Sequence, residues 1–260
     1  MNRIEGNSTG ATTATGLLLA LVAAGLLLGL TGCKESVPES DLDKFIARTE
    51  TLDGQALEDT LQALAAGPAP FSAYAHYLLG NRAYAAAGDS AATVGWGDDG
   101  VGVLLATAEE HFTAAIARDS TFIEPMVNLG SLWDDRSEQM GSRAERDERM
   151  DKARLYYDMA LKVDPTDEKA RCNLGALYLR QRRVGDALRE FNTALEHDDR
   201  SALAHYNLAI MFAEQKVYRE AIVEWELAAK FDPDGDIGGR SRDNIRIVRD
   251  LMNAPDPAGH

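Results

Sequence analysis

The sequence predicts an all-α fold, an α-α superhelix built from stacked helical hairpins. The segment Asn173–Tyr178 is followed 34 residues later by a similar segment, Asn207–Phe212. A second set of small and aromatic residues repeats at the same distance. A period in this range is typical of a solenoid, in which each unit buries its apolar face only by stacking on its neighbours. The second set pairs Ala187, Phe191 and Ala194 with Ala221, Trp225 and Ala228.

Composition narrows the possible functions. The 260 residues are 45% hydrophobic, which is sufficient for one substantial domain or an extended repeat array. The formal net charge is -15, and no run of Lys or Arg forms a basic patch, so the sequence argues against nucleic-acid binding. With two cysteines, Cys33 and Cys172, no disulfide framework is expected and the fold must depend on packing.

The N-terminus has the pattern of a targeting segment. Leu17 to Leu30 is a 14-residue apolar run, short for a membrane span and suited to the apolar region of a signal peptide. It leads into Leu30-Thr31-Gly32-Cys33, which resembles the lipobox of bacterial lipoproteins. The resemblance implies a signal peptide at 1–32 and lipidation of Cys33 as the first mature residue. A plain transmembrane anchor is the alternative.

The same resemblance implies a location in the bacterial cell envelope. Two or three acyl chains hold a protein on a membrane, whereas one chain gives only marginal residence. Lys34 follows the cysteine, where an aspartate would favour inner-membrane retention in the enterobacterial family. We therefore expect a lipid-anchored, periplasm-facing protein on the outer membrane more than on the inner one. Residues 33–40 are polar and predict a tether.

The folded part is expected to begin with a helical cap at 41–68. Leu42, Phe45 and Ile46 share one helical face, and apolar spacing resumes after Gly54 until Gly67-Pro68 ends it. The segment has no small residues in register with the repeat. It is therefore predicted to shield the exposed apolar edge of the first repeat.

Four repeat units follow when two insertions are allowed. The Leu-Gly pairs at 79, 129 and 174 lie 50 and 45 residues apart instead of 34, which indicates 16 and 11 extra residues. The insertions fall at 88–105 and 139–150, where the first should form a mobile loop and the second should extend paired helices into solvent. After the last unit, 238–253 predicts a capping helix with an apolar stripe. The predicted units are 73–122, 123–167, 168–201 and 202–235.

The repeated residue types suit close helix packing. Small residues should lie where two helices cross, because no longer side chain fits there, and the aromatic residues should fill the space between units. The pattern has a large residue, Leu-Gly and an aromatic residue on the first helix of a unit. On the second helix it has Ala, an aromatic residue, Ala and a closing Pro. It resembles the tetratricopeptide repeat. The crossing positions are Gly80, Gly130, Gly175 and Ala209, opposite Ala108, Ala153, Ala187 and Ala221, and the aromatics are Phe112, Tyr157, Phe191 and Trp225.

This resemblance implies a concave groove, lined by the first helix of each pair, that holds an extended peptide or a partner's helix. Asn128, Asn173 and Asn207 recur at one place and could bond a peptide backbone, or could bond within the array. The candidate groove residues are Tyr74, Tyr77, Asn81, Tyr84, Asn128, Ser131, Lys169, Asn173, Arg180, Tyr206 and Asn207.

Other binding chemistries fit the sequence less well. Some family members clamp a C-terminal carboxylate with two Lys, one Arg and two Asn, but Tyr77 and Asn173 replace two of those charges here. The loop Gly95–Gly100 matches G-x-G-x-x-G without a preceding strand and has two carboxylates, which argues against dinucleotide binding. The five histidines show no metal-ligand spacing among themselves or with Cys172, which is expected to be a small groove-wall residue. We therefore expect no cofactor, no metal and no catalytic activity.

The function expected from this architecture is a protein-protein interaction scaffold or adaptor in the bacterial envelope. Its partner would be a protein or peptide bound in the concave groove, with membrane attachment through the N-terminal lipid. An accessory or regulatory subunit of an envelope enzyme or secretion complex is the alternative.

Overall fold

The computed structural model describes residues 41–139 and 141–253, so the predicted signal peptide at 1–32, Cys33 and the tether at 33–40 lie outside it. Within these ranges the chain forms eleven α-helices and no strand, which confirms the predicted all-α class. Of the helices described, none has the length and apolar character needed to cross a membrane. The chain divides into two compact units between Asp119 and Ser120, and each is considered separately.

The first unit contains four helices. A small core forms where α2 packs on α3, with Leu61 and Leu79 buried and Phe45 and Leu57 packed against them. The N-terminal segment predicted as a cap is thus helical and contacts the first long helix. The four helices are α1 (Asp41–Glu50), α2 (Gly54–Ala65), α3 (Phe71–Val94) and α4 (Asp99–Arg118).

The insertion at 88–105 lengthens two helices and does not form the mobile loop that the sequence suggested. Helix α3 has 24 residues and α4 has 20, and only four residues separate them. Ala91, Val101 and Leu105 are buried, so the extensions pack on each other. The Asp98 carboxylate accepts a hydrogen bond from the backbone N–H of Gly100 at 2.8 Å and caps α4.

The second unit contains seven helices in which each pair stacks on the next. α5 packs on α6, α7 on α8 and α9 on α10, while α5 also contacts α7, α7 contacts α9, and α9 contacts α11. The three helices that begin the pairs, α5, α7 and α9, are called the first helices below. The seven are α5 (Ile123–Ser137), α6 (Arg143–Val163), α7 (Glu168–Arg180), α8 (Val184–His197), α9 (Ala202–Glu214), α10 (Tyr218–Phe231) and α11 (Asp236–Asn253).

Two turns repeat the same backbone geometry at the 34-residue period. Arg182 and Lys216 have φ values of 60° and 62°, in the left-handed region. In each case the following N–H reaches back to the first helix, from Arg183 to the Tyr178 carbonyl at 2.8 Å and from Val217 to the Phe212 carbonyl at 2.9 Å. These bonds satisfy helix-end carbonyls and reverse the chain within a few residues.

Glycine and aromatic residues meet where paired helices cross, whereas the sequence predicted alanines opposite the glycines and the aromatic residues between units. A Cβ added at Gly80 would lie 2.6 Å from the Phe112 ring, and Cβ atoms at Gly130 and Gly175 would overlap the Tyr157 and Phe191 rings. No side chain fits at these crossings. The aromatic rings take the available volume and are among the largest fully buried side chains of the described chain.

The second insertion lengthens α6, which has 21 residues against 14 in α8 and α10. Ser142 and Glu145 form a capping box at its start, and the residues from 141 to 148 are exposed. Hydrogen bonds from the Ser142 backbone and side chain hold the pKa of the Glu145 carboxyl below its usual value. The extra residues therefore form a capped, charged first part of α6.

Candidate functional site

In the first unit the predicted groove tyrosines of α3 belong to an aromatic cluster. Tyr74, Tyr77, Asn81 and Tyr84 are all half-buried. The Tyr74 ring lies 5.9 Å from that of Phe45 on α1, between centroids. Tyr77 and Tyr84 each lie 6.4 Å from Phe112 on α4, also between ring centroids. These tyrosines therefore pack within the unit and present only part of their surface.

In the second unit Asn173 bonds to the preceding repeat. Its Nδ2 donates to the Ser131 Oγ at 3.2 Å, and that oxygen lies 3.3 Å from the Tyr157 hydroxyl. Burial raises the pKa of Tyr157, so the phenol keeps its proton. The three side chains form a polar chain across α5, α6 and α7, and it fixes the orientation of the Asn173 amide.

Asn207 has a similar internal bond, since its Nδ2 donates to the Leu203 carbonyl at 3.0 Å. Burial is the main cause that raises the pKa of the Cys172 thiol, and the charge of Glu168 raises it further, while the nearby Asn207 amide opposes the shift. Cys172 is fully buried in the core between α7, α8 and α9 and keeps its proton, so, contrary to the expectation from the sequence, it does not line the groove. Asn128 is half-buried at the equivalent place on α5. The two interpretations of the asparagines are thus compatible, because an amide that makes one internal bond retains further donor and acceptor capacity.

An ion pair that the sequence did not indicate joins α5 to α7. The Arg180 guanidinium pairs with the Asp134 carboxylate, and the Asp134 side chain is only 6% exposed. The 45-residue register places Asp134 where Leu179 stands in the next repeat, and that leucine is buried. The pairing holds the Arg180 guanidinium against the array, although Arg180 is exposed, as is Lys169 on the same helix. A charged residue at an apolar repeat position was the signal available in the sequence.

Tyr206 is the candidate that the structure corrects. It is only 6% exposed because the last helix, α11, covers it. The Arg240 guanidinium lies 4.9 Å from the ring centroid, and Asn244 Nδ2 donates to the phenol oxygen at 3.4 Å. Tyr206 therefore joins α9 to α11 and is closed to a partner.

Two histidines of the first unit lie together although 35 positions separate them in sequence. The Nδ1 atoms of His76 and His111 are 2.9 Å apart, so one donates and the other accepts. Burial is the main cause that lowers the pKa of both imidazoles. The positive charge of Arg118 lowers the pKa of His76 further. The negative charges of Glu58 and Glu110 act in the opposite direction on the pKa of His111. Within the described chain, no group of three or more possible metal-ligating side chains occurs.

This pair makes the first unit less stable in acid. Because the folded-state pKa values lie below the unfolded value, the stabilisation is complete above about pH 6.5 and declines as pH falls below it. His111→Gln keeps a polar partner for His76 but does not titrate. We expect this variant to reduce the change in the urea unfolding midpoint with pH between about pH 7.5 and 5. His197→Gln, an exposed histidine on α8, is the control. Equal pH dependence in wild type and His111→Gln would contradict this role.

The helix pairs, their small-residue crossings and their stacked first helices define a helical-repeat protein. Residues 172–236 match the family model for the tetratricopeptide repeat. The predicted resemblance to the tetratricopeptide repeat is therefore confirmed. The family model supports it for residues 172–236, and the fold supports it for the architecture. Proteins with this repeat generally act as non-catalytic interaction scaffolds.

A solved structure supports the same fold. A thermophilic TPR protein from Thermus thermophilus aligns with 78% of this chain and 93% of its own, at 16% identity and a TM-score of 0.58. The TPR domain of Arabidopsis OM64 aligns with 47% of this chain and 98% of its own, at 16% identity and a TM-score of 0.34. No curated protein matches the sequence.

Proposed function

We propose that the chain is a lipid-anchored interaction scaffold of the bacterial cell envelope, which binds an extended peptide segment on the first helices of its second unit. The observation that carries the proposal is the row formed by Asn128, Asn173 and Asn207 at one position on α5, α7 and α9. We call these residues the amide row. An amide both donates to and accepts from a peptide backbone, so the row can hold a backbone whatever its side chains.

The internal bonds of the amide row support this function. Asn173 is oriented by Ser131 and Asn207 by the Leu203 carbonyl, so neither amide needs to be ordered when a peptide binds. Pre-oriented groups lose less conformational entropy on binding. A charged side chain flanks the row on α7, with the exposed Lys169 four residues before Asn173. It can select among peptides that the amides alone would not distinguish.

The groove function is tested by photocrosslinking in cells. With a benzophenone amino acid at Ala176, we expect crosslinked partner bands that weaken when Asn128 and Asn207 are both changed to alanine. Each lost hydrogen bond should reduce affinity about three- to tenfold. Asn192→Ala, an exposed asparagine on α8, is the matched control. Unchanged crosslinking in the Asn128→Ala/Asn207→Ala variant would contradict the proposed role of the amide row.

The lipid anchor is supported by the pattern Leu30-Thr31-Gly32-Cys33 after an apolar run and by the polar stretch at 33–40 before the first helix. Together they fit a thioether-linked lipid followed by a short tether.

A Cys33→Ser variant tests the anchor, because the serine hydroxyl cannot form the thioether. The wild type should be cleaved after Gly32 and fractionate with membranes. Both the variant and globomycin-treated wild type should remain at precursor size. Ser36→Ala is the control within the tether. Identical size and membrane fraction in all cases would disprove lipidation at Cys33.

A further inference from the structure

Helix α11 has the same buried register as the first helices of the second unit. Its buried residues Ser241, Ile245 and Val248 lie 37 positions after the buried residues Ala204, Leu208 and Met211 of α9. Three residues have therefore been added to the 34-residue period before α11. Contacts with both α9 and α10 place α11 where the first helix of another repeat would stack. The sequence had indicated only a cap at this place.

This register assigns equivalent positions on all four helices. Asn244 lies 37 residues after Asn207 and so continues the amide row on α11. Its bond to the Tyr206 hydroxyl orients the amide, as internal bonds orient Asn173 and Asn207. Three positions after each of these asparagines, the side chain is small on α5 and α7 and aliphatic on α9 and α11. These residues are Ser131 on α5, Ala176 on α7, Ile210 on α9 and Ile247 on α11.

The aliphatic end of this series is accessible. Ile247 is 51% exposed, and Leu251, one helical turn further along α11, is 52% exposed. Ile210 on α9 is half-buried beside them in the register. We call Ile210, Ile247 and Leu251 the aliphatic end.

We propose that α11 is part of the binding surface, with Asn244 extending the amide row and the aliphatic end accepting aliphatic side chains from an extended peptide segment of a partner protein. The inference rests on the proposed function. Neighbouring helix axes lie about 8–10 Å apart. A chain in the polyproline II form rises about 3.1 Å per residue with about three residues per turn, so it passes one helix and returns a side chain to the same face roughly every three residues. The peptide should therefore carry two aliphatic residues about three positions apart.

Two other occupants fit the surface less well. The seven residues after α11, Ala-Pro-Asp-Pro-Ala-Gly-His, contain no Val, Leu, Ile or Met that could fill the aliphatic end. A stable dimer buries about 800 Å² on each partner, far more than three partly exposed aliphatic side chains can supply. A short peptide needs less area, because the amide row adds backbone hydrogen bonds to the apolar contact.

Selection from a random peptide library tests the inference. Full-length chain in detergent is panned against phage-displayed 12-residue peptides, and enriched peptides are synthesised and titrated. We expect two aliphatic residues about three apart in the selected sequences. Ile247→Ser and Leu251→Ser should each weaken binding about tenfold, from the loss of half-exposed apolar contact. Val223→Ser on α10 is the matched control, since Val223 is 54% exposed, and its affinity should stay within about twofold.

The outcomes separate this inference from the proposed function. If Asn207→Ala weakens the selected peptides but Ile247→Ser and Leu251→Ser do not, α11 is only a cap and the inference fails alone. If no peptide is enriched on the wild type, the proposed function fails and the inference with it. Light scattering tests for self-association. If the wild type is a dimer without peptide and Ile247→Ser dissociates that dimer, a second copy of the chain occupies the surface and the inference is overturned. Because both substituted residues are exposed, unchanged thermal unfolding is expected and is measured on each variant.

Discussion

Replacing Phe191 with alanine should lower the free energy of unfolding by about 3–5 kcal/mol, the largest loss we expect from a single substitution. The Phe191 ring is fully buried against Gly175 and belongs to the core cluster that joins α7, α8 and α9. Alanine would leave a cavity between rigid helices, where the close crossing prevents collapse. In a repeat array the damage also weakens stacking on the following pair, since each unit is stabilised by its neighbours.

Urea unfolding followed by circular dichroism measures this loss. Asn192→Ala, the exposed neighbour on the same helix, should change stability by no more than about 0.5 kcal/mol. A Phe191→Ala variant with nearly wild-type stability would mean that the repeats do not depend on their aromatic residues for packing.

Arg180→Met should lower the free energy of unfolding by about 2–4 kcal/mol, since breaking a buried ion pair leaves one charge without compensation. The Asp134 side chain is 6% exposed and that of Arg180 is 30% exposed. We therefore place the loss below that of a fully buried pair. Methionine keeps the apolar stem of the arginine, so the change isolates the charge.

The double variant Asp134→Leu/Arg180→Met provides the decisive control. Leu179 occupies the place of Asp134 in the next repeat and is buried there, so a leucine should fit at Asp134. Replacing a buried ion pair by apolar residues of similar volume is often neutral or stabilising. We expect the double variant to recover to within about 1 kcal/mol of wild type by urea unfolding. A double variant that is less stable than Arg180→Met would contradict this account of the pair.

The sequence predicted the repeat because the repeated residues are those that packing restricts most. Gly130 and Gly175 face aromatic rings so closely that no other residue is accommodated. The same residue types therefore recur in each unit, although two insertions lengthen the 34-residue spacing. Side chains away from these crossings are not restricted in this way, so their contacts do not appear as a repeated residue type.

The remaining features could not be predicted because they depend on partners that the period does not specify. Asp134 and Arg180 meet across two helices, and His76 and His111 meet across two others. The burial of Tyr206 depends on α11, whose register is shifted by three residues and so did not match the 34-residue period. The same shift hid Asn244 at the end of the amide row.

Nuclear magnetic resonance of the asparagine side-chain amides shows whether a peptide lies on the amide row. A selected peptide is added to isotope-labelled full-length chain, and the side-chain NH₂ signals are assigned by single substitutions. We expect the signals of Asn128, Asn173, Asn207 and Asn244 to shift on binding, while that of Asn192 on the second helix α8 stays in place. A bound peptide that shifts Asn192 and leaves those four signals unchanged would contradict this expectation.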